Sequence, residues 1–256
     1  MKYYLAEACQ NTFVLFDCRE EGVTARVLQE AHRCLLALGR DDALLLTADR
    51  VHEGALYVEM AVLGWDGVLA EFCGNGARAI AAYLFATTTQ EKVFLVTKPG
   101  FVCQVQKGAH ETYSIALPAA SFDLNTRFIG DAQKFQNETS WKYVEMLEPH
   151  LLINSPMSDQ ELLLLGQTLN GDKEMFPHGI NVNAWHVLKD ATLFVKTYER
   201  GVQRLTRSCG TGSAACAALQ EQDVTVVTPG GELKILVRPE AVTLIGPAQI
   251  EKECYL

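Results

Sequence analysis

Positive charge is scarce in this sequence. Its 256 residues include 22 Lys and Arg against 31 Asp and Glu, which gives a net charge of −9 at pH 7. Nucleic-acid binding needs a basic surface that neutralises phosphates, and no cluster of Lys or Arg occurs along the chain. These observations exclude a nucleic-acid partner and favour a small-molecule substrate.

Long apolar runs are also missing. No stretch is long and apolar enough to span a bilayer, so no membrane partner is expected. Residues 1–16 do not have the apolar core and small-residue cleavage site of a signal peptide. We therefore expect a cytoplasmic location.

The eight cysteines include no C-x-x-C pair. Zinc ribbons and thioredoxin-like redox motifs need such pairs, so both are excluded and no metal site is predicted. Scattered single cysteines fit a reducing compartment, where thiols stay free.

The composition, with 48% hydrophobic and 21% charged residues, is typical of a globular protein. No long Pro-, Gly- or Ser-rich linker occurs, which predicts one or two closely packed domains. Thr24 as a cap, apolar residues at helical spacing and Gly39 as a stop predict the first helix. Short apolar runs bounded by turn residues predict strands of a sheet or barrel, at residues 3–5, 13–16, 43–46, 55–58, 93–96, 101–103 and 232–237.

An internal repeat organises the chain. Residues 72–79, Phe-Cys-Gly-Asn-Gly-Ala-Arg-Ala, are echoed by residues 208–215, Ser-Cys-Gly-Thr-Gly-Ser-Ala-Ala. Each copy opens an alanine-rich helix and is followed by a Thr-x-Pro-Gly or Thr-Pro-Gly turn before a strand. Two copies at so long a period predict two pseudo-symmetric α+β lobes rather than a solenoid. The cleft between the lobes is then the predicted active site.

The repeated turn has a chemical meaning. A C-G-x-G turn that runs into a helix places Cys73 or Cys209 at the helix N-terminus, where free N–H groups and the helix dipole stabilise an anion. Such an environment favours the thiolate, which suits a general base near neutral pH. The same N–H groups can hold a substrate carboxylate.

One such cysteine is often only a small buried residue, but two matched copies indicate catalysis. Inverting an α-carbon by direct proton transfer needs a base on one face and an acid on the other. Of the remaining cysteines, Cys216 is expected to face the core. The others are expected to act as small hydrophobic residues in apolar or edge positions, namely Cys9, Cys18, Cys34, Cys103 and Cys254.

Taken alone, two further features favour structural roles. His150 is typical of a hydrogen-bonded histidine at a strand start, and Glu199–Arg200 is typical of a solvated charge pair.

Together these motifs resemble the diaminopimelate epimerase family, including its histidine racemase relatives. The two cysteine turns carry the resemblance, and the segments between them follow the family's order: Phe176-Pro177, Asn181-Val182-Asn183 and Tyr198-Glu199-Arg200-Gly201-Val202. Asn11-Thr12-Phe13 matches the family's opening Asn-Asp-Phe, so the similarity covers nearly the whole chain. Proline racemases also use two cysteines as acid and base, but Asn75 and Arg78 make the first turn more similar to that of the epimerases.

The resemblance implies two lobes, each a mixed sheet or barrel wrapped around a central helix. The N-terminal lobe would comprise residues 1–117, with a C-terminal tail, 246–256, returning to it, and the second lobe residues 118–245. It implies no cofactor, neither pyridoxal phosphate nor metal, and a homodimer. By the same resemblance, Cys73 and Cys209 are catalytic. The implied substrate-binding residues are Asn11, Gly74, Asn75, Asn181, Glu199, Arg200, Gly210 and Thr211. Asn181, Glu199 and Arg200 would hold the far end of the substrate. His150 and Glu199 would help to prepare the two thiols for proton transfer.

The sequence departs from the family pattern around the far end of the substrate. Glu148 stands where the family usually has an asparagine before Pro-His. Gly64 stands where the family usually has another asparagine, and Ala43 follows Asp42 where the family has Gln or Gly. A carboxylate at Glu148 would repel the distal carboxylate of diaminopimelate and attract a cationic or donor side chain such as imidazole.

Three interpretations therefore stand at this point. The first is an epimerase or racemase acting on diaminopimelate, or else on histidine or another amino acid. The second is a non-catalytic amino-acid-binding protein of the same fold, which retention of both cysteines disfavours. The third is a thiol redox protein, which the lack of a nearby resolving cysteine disfavours.

Overall fold

The computed structural model describes residues 1–70, 72–97, 100–132 and 140–255. The chain divides into two compact units, which are described separately. Unit 1 contains Met1–Ala116 and Ile245–Leu256, and unit 2 contains Leu117–Leu244. Among the described residues, no helix is long and apolar enough to cross a membrane.

Unit 1 is a mixed β-sheet with two helices, α1 (Ala25–Leu38) and α2 (Gly74–Thr87). Its strands are β1 (Lys2–Ala8), β2 (Asn11–Asp17), β3 (Asp42–His52), β4 (Ala55–Gly64), β5 (Leu69–Ala70), β6 (Val93–Val96), β7 (Val102–Lys107) and β8 (Thr112–Pro118), the last running into unit 2. The strands β2 and β3 pair in parallel, as do β4 and β6, whereas β1–β2, β3–β4, β4–β5 and β6–β7 are antiparallel. All the apolar runs predicted as strands in this unit lie within these strands, except for Phe101.

Unit 2 contains the helices α3 (Asp159–Gly171) and α4 (Gly210–Gln220). Its strands are β9 (Trp141–Met146), β10 (Glu148–Asn154), β11 (Asn181–Lys189), β12 (Thr192–Glu199), β13 (Arg204–Thr206), β14 (Val224–Thr228), β15 (Gly231–Arg238) and β16 (Ala241–Pro247), the last ending in unit 1. Parallel pairs are β10–β11 and β12–β14, and β9–β10, β11–β12, β12–β13 and β14–β15 are antiparallel. A final strand, β17 (Gln249–Tyr255), belongs to unit 1 and pairs antiparallel with β1.

The two units repeat one plan. Each starts with an antiparallel hairpin, crosses through a helix to a parallel neighbour, turns back, adds a two- or three-residue strand, and crosses through a second helix. The succession of parallel and antiparallel pairs is the same in both units. The predicted α+β class and the predicted repeat are therefore confirmed.

The second helix of each unit is the central one. In α2 every residue from Gly74 to Leu84 is buried, and in α4 every residue from Gly210 to Ala218 is buried. A helix that is mostly apolar on all sides is stable only inside a protein, and small side chains let surrounding strands approach it closely. Cys216 lies in α4 with no exposed surface, as predicted, and burial raises the pKa of its thiol.

The first helix of each unit has well-defined ends. The Thr24 hydroxyl accepts a hydrogen bond from the Val27 amide at the start of α1, and Gly39 ends that helix with a φ of 60°. Both predictions for this helix are thereby confirmed. Ser158 and Glu161 form a reciprocal capping box at the start of α3.

Replacing Gly166 with Ala is expected to destabilise unit 2. A methyl group at Gly166 in α3 would lie 2.2 Å from Cγ of Tyr198, whose ring is fully buried. Overpacking of this kind costs about 1–3 kcal/mol. The free energy of unfolding, measured by urea titration, should fall by that amount.

Gly171→Ala is the matched control in the same helix, because no atom lies within 4 Å of the added methyl group. Gly171→Ala should leave the free energy of unfolding nearly unchanged. Equal effects of the two substitutions would show that close packing on Tyr198 does not limit this position.

Candidate active site

Cys73 is the N-cap residue of the central helix of unit 1. Its backbone is extended, with φ −140° and ψ 112°, and its Sγ accepts a hydrogen bond from the Gly76 amide at 3.3 Å. The side chain is half-buried. Gly76 must lack a side chain, because a methyl group there would lie 2.7 Å from Cδ2 of Leu44 and 3.4 Å from Sγ of Cys73.

Cys209 has the same role in unit 2. Its backbone is also extended, with φ −114° and ψ 110°, and its Sγ accepts a hydrogen bond from the Gly212 amide at 3.4 Å. The Thr211 hydroxyl lies 3.6 Å from the same sulfur. A methyl group at Gly212 would lie 2.2 Å from Oδ1 of Asn183, so this glycine leaves room for a buried amide.

A sulfur in the N-cap position favours negative charge. An N-cap acceptor receives the first unpaired amides of the helix, and the positive end of the helix dipole lies beside it. Thiolates at helix N-termini are more stable than free thiolates for this reason. Each turn can therefore supply a reactive thiolate, and its remaining amides can bind an anionic group.

The topology of unit 1 gathers the predicted residues at one edge of its sheet. Asn11 begins β2, and Asp42 begins the parallel neighbour β3. Gly64 ends the antiparallel strand β4 opposite Asp42, and Cys73 follows the short strand β5 by three residues. Asn11, Gly74 and Asn75 are all buried at this edge.

The same edge of unit 2 holds the corresponding set. Glu148 begins β10, Asn181 begins the parallel neighbour β11, and Glu199 ends β12. Cys209 again follows the short strand, β13, by three residues, and Gly210 and Thr211 begin its helix. The Glu199 carboxylate accepts a hydrogen bond from the Thr206 hydroxyl.

Arg200 is paired with Glu148 and not with its sequence neighbour Glu199, so the solvated pair that is typical of two adjacent opposite charges does not form. Its Nε donates to Oε2 of Glu148 at 2.9 Å, and Nη2 donates to the same oxygen. Both side chains are largely buried, with exposed fractions of 18% and 13%. The register of the strands brings these residues together although they are 52 positions apart in the sequence.

Three further contacts fix Arg200. Its Nη1 donates to the His178 carbonyl at 3.1 Å, its backbone amide donates to Oδ1 of Asn181 at 3.0 Å, and its guanidinium lies 5.2 Å from the centroid of the Phe128 ring. Asn181 and Arg200, both predicted to bind the far end of a substrate, are thus in direct contact.

His150 is fully buried beside this pair, and a hydrogen-bond network defines its tautomer. Nδ2 of Asn183 lies within hydrogen-bond distance of the Leu151 and Asn181 carbonyls, so it is the amide nitrogen and acts as a donor. An amide nitrogen cannot accept a hydrogen bond, so the 3.2 Å contact of this nitrogen with Nδ1 of His150 is a hydrogen bond in the tautomer whose Nδ1 accepts. Oδ1 of Asn183 accepts from the Thr197 hydroxyl at 2.8 Å, which is consistent with this orientation.

The proton of neutral His150 consequently resides on Nε2. This atom is buried and has no hydrogen-bond partner within the described part of the chain. Burial, reinforced by the nearby Arg200 charge, lowers the pKa of His150 to about 3. At neutral pH the imidazole is uncharged, and its Nε2–H is a donor that can serve an anion.

The sequence resembles known proteins over most of its length. The sequence model of the family described as Diaminopimelate epimerase matches residues 143–251. A diaminopimelate epimerase of Corynebacterium glutamicum is 35% identical over 205 residues, covering 72% of this chain and 70% of that protein. A diaminopimelate epimerase of Enterococcus faecalis is 29% identical over 278 residues, covering 94% of this chain and 84% of that protein.

The chain belongs to the diaminopimelate epimerase family. It is an isomerase of the epimerase and racemase type, acting on an amino acid. The fold is shared with a hydroxyproline epimerase from Agrobacterium vitis, whose crystal structure with bound trans-4-OH-L-proline superposes with a TM-score of 0.70. That similarity covers 99% of this chain and 91% of the other at 13% sequence identity.

Several residues with polar contacts near the predicted site were not predicted as site residues, among them Asn183 in unit 2 and Arg78 and Cys9 in unit 1. Asn183 and Arg78 lie inside the motifs, but nothing in the sequence shows that they are buried and what they contact. Cys9, predicted to be a small hydrophobic residue, instead accepts a hydrogen bond from Arg78. The one charged residue in the helix Gly74–Thr87 is Arg78, and this isolated charge is a sequence signal that could have found its network.

Within the described residues, no group of three or more His, Cys, Asp and Glu side chains is arranged to hold a metal ion.

Replacing His150 with Asn is expected to weaken the dependence of stability on acid pH. Its folded pKa is about 3, whereas an unfolded histidine titrates near about 6.5, so the unfolded chain binds one more proton between these values. The free energy of unfolding of the unchanged protein should therefore fall by up to about 1.4 kcal/mol for each pH unit below about 6.5.

Urea unfolding at a series of pH values between neutrality and pH ~4 measures this slope. His110→Asn, at an exposed position in a turn, is the control and should keep the slope of the unchanged protein. If His150→Asn has the same slope as the control, His150 is not buried in its neutral form.

Proposed function

We propose that this protein inverts the α-carbon of an amino acid by proton transfer between two thiols, those of Cys73 and Cys209, without pyridoxal phosphate or a metal. The observation that carries the proposal is the duplicated N-cap. In each unit a cysteine sulfur accepts the third amide of a buried helix, at equivalent positions of one repeated plan.

In this mechanism one cysteine is a thiolate and the other a thiol. The thiolate removes the α-proton from one face of the substrate, and the thiol donates its proton to the opposite face of the resulting carbanion. The electron pair of the broken C–H bond becomes that of the new C–H bond, so no electrons enter or leave. The protonation states of the two cysteines are exchanged after each turnover.

The substrate carboxylate would be held by the helix N-termini. The amides of Gly74 and Asn75, and those of Gly210 and Thr211, belong to the first turns, whose N–H groups point out of the N-terminal ends of the helices. They stabilise the charge that spreads onto the carboxylate as the α-proton leaves. Asn11, buried at the same edge of unit 1 as Cys73, would add an amide side chain to this site.

The proposal gives His150 and Glu199 supporting roles. His150 is neutral and offers Nε2–H, so it can stabilise an anion without donating its proton. Glu199 is positioned by the Thr206 hydroxyl at the end of β12.

Diaminopimelate is the first candidate substrate, because the relatives carry that name. Its far end bears both a carboxylate and an ammonium group. In the proposed site the carboxylate would approach Arg200 and Asn181.

A second candidate class is favoured by the Glu148–Arg200 pair. Two of the five N–H donors of Arg200 are directed at Glu148, a third at the His178 carbonyl, and the charge of the guanidinium is balanced. A second carboxylate would have to compete with Glu148 in a largely desolvated place. A neutral or cationic side chain that donates hydrogen bonds, such as that of histidine, meets no such competition.

Replacing Cys73 or Cys209 with Ala should abolish racemisation, because each thiol serves one face of the carbon. Circular dichroism should show that the fold is retained. The measurement is loss of optical rotation together with deuterium incorporation at the α-carbon in heavy water, for LL-diaminopimelate and a panel of L-amino acids.

Cys216→Ala, in the same helix as Cys209 but buried in the core, is the matched control and should remain active. The unchanged protein should show a bell-shaped pH profile whose two limbs belong to the pair of thiols. Near-normal racemisation by either alanine variant at the proposed catalytic positions would rule out the two-thiol mechanism.

Replacing Glu148 with Asn should shift specificity toward diaminopimelate. The change removes a carboxylate and releases Arg200 to bind the distal carboxylate, while neither thiol is touched. The ratio of kcat/KM for diaminopimelate to kcat/KM for histidine should rise by about tenfold or more, which corresponds to about 1.4 kcal/mol.

Glu232→Asn, at an exposed position on β15, is the control and should leave the ratio unchanged. If the unchanged protein already prefers diaminopimelate and Glu148→Asn lowers its kcat/KM, the charge argument fails. Diaminopimelate is then the substrate, with Glu148 recognising its distal ammonium group.

A further inference from the structure

Arg78 is the largest charged feature of the interior of unit 1 that the proposed mechanism does not use. Its side chain has no exposed surface and lies in α2, five residues after Cys73. Helical side chains lean toward the N-terminus, and this one does so, because its guanidinium contacts residues of the first turn.

The hydrogen-bond acceptors around this guanidinium are an amide oxygen, a backbone carbonyl and a cysteine sulfur. Nη2 donates to Oδ1 of Asn75 at 2.7 Å and to Sγ of Cys9 at 3.4 Å, and Nη1 donates to the Gly74 carbonyl at 3.5 Å. Nε has no hydrogen-bond partner within the described residues. None of the described carboxylates pairs with Arg78.

A guanidinium keeps its proton under all physiological conditions, so a buried one requires negative charge nearby. Burial lowers the pKa of Arg78, and charges on the sulfurs of Cys9 and Cys73 oppose that effect. These two cysteines are the titratable groups that interact with it.

Other titratable groups lie on the described strands packed around α2, and no hydrogen bond joins any of them to Arg78. The helix packs against β1, β2, β7 and β17. Tyr4 of β1 and Asp17 of β2 both contact Tyr83 near the far end of the helix. Cys103 of β7 is buried, and Cys254 of β17 interacts with Tyr3.

The second turn has no such cation in its helix. The residue five positions after Cys209 is Ala214, which is fully buried. Near that end of unit 2, His150 is neutral and the charge of Arg200 is balanced by Glu148. The duplicated helices are therefore alike in backbone and different in charge.

We propose that Arg78 is a positioning residue that makes Cys73 the resting thiolate of the free enzyme and leaves the proton on Cys209. This inference rests on the proposed two-thiol function. Arg78 acts through Cys73 and does not touch the substrate. A negative charge on the Cys9 sulfur would partly neutralise the Arg78 guanidinium and so weaken its stabilisation of the Cys73 thiolate.

The reactivity of each cysteine reports its thiolate form directly. In the full-length protein, the rate of alkylation by iodoacetamide is measured against pH, and peptide mapping by mass spectrometry assigns it to Cys73 or Cys209. The pH at which the alkylation rate is half-maximal, the alkylation midpoint, should be lower for Cys73 than for Cys209. A midpoint at Cys73 equal to or above that of Cys209 would overturn the proposal.

Cys9→Asp and Cys9→Asn form a matched pair of variants. Cys9 has a φ of 50°, a conformation that Asp and Asn both tolerate. Asp places a permanent negative charge on Arg78, and Asn, which has the same shape, does not. The Asp variant should raise the alkylation midpoint of Cys73 by about one pH unit or more relative to the Asn variant.

The midpoint of Cys209 in the same samples is the internal control and should not move. Identical Cys73 midpoints in the two variants would overturn the proposal. The outcome is independent of turnover, so failure here is distinct from failure of the two-thiol mechanism, which the alanine variants of the two cysteines test.

Substitution of Arg78 itself gives a second measurement. Arg78→Lys keeps the charge and should keep a low Cys73 midpoint, whereas Arg78→Met should raise it. A low Cys73 midpoint in folded Arg78→Met would contradict the proposal. If Arg78→Met does not fold, the comparison of the Cys9 variants decides the question.

Discussion

The hydrogen bond from a glycine amide to a cysteine sulfur is the interaction on which the cysteine turn of each unit depends. It exists because the cysteine adopts the extended N-cap conformation and because the third residue of the helix has no side chain. In unit 1 that absence leaves space for Leu44, and in unit 2 it leaves space for Asn183. The chemistry of the sulfur and the packing of the central helix therefore constrain each other, and neither glycine can change without displacing a buried neighbour.

Around this shared interaction the two units have diverged at equivalent positions. Asn11 begins β2 where Glu148 begins β10, and Asp42 begins β3 where Asn181 begins β11. The strand plan fixes where these side chains start, and their chemistry then determines what they recognise. In unit 2 the result is a network that runs from Glu148 through Arg200 to Asn181. One scaffold thus supplies two different sets of polar groups.

Local features of the fold could be predicted from the sequence, whereas the polar network could not. The caps of the first helix, the strand segments and the two cysteine turns follow from residue preferences over a few positions. The partner of Arg200 does not, because strand register brings Glu148 to it and the adjacent Glu199 bonds to Thr206 instead. The burial of Arg78 and the orientation of Asn183 likewise depend on what surrounds the central helices. Such contacts become visible only when the sheet is assembled.

The pairing of β17 with β1 affects how unit 1 is completed during synthesis. Its last strand, Gln249–Tyr255, follows all of unit 2 in the sequence, whereas unit 2 is continuous from Leu117 to Leu244. Until the ribosome has made residue 255, β1 has β2 on one side and no β17 on the other. A nascent chain of this kind presents an open strand edge for as long as unit 2 takes to emerge, and an open edge can pair with other chains. The second unit can thus finish folding before the first.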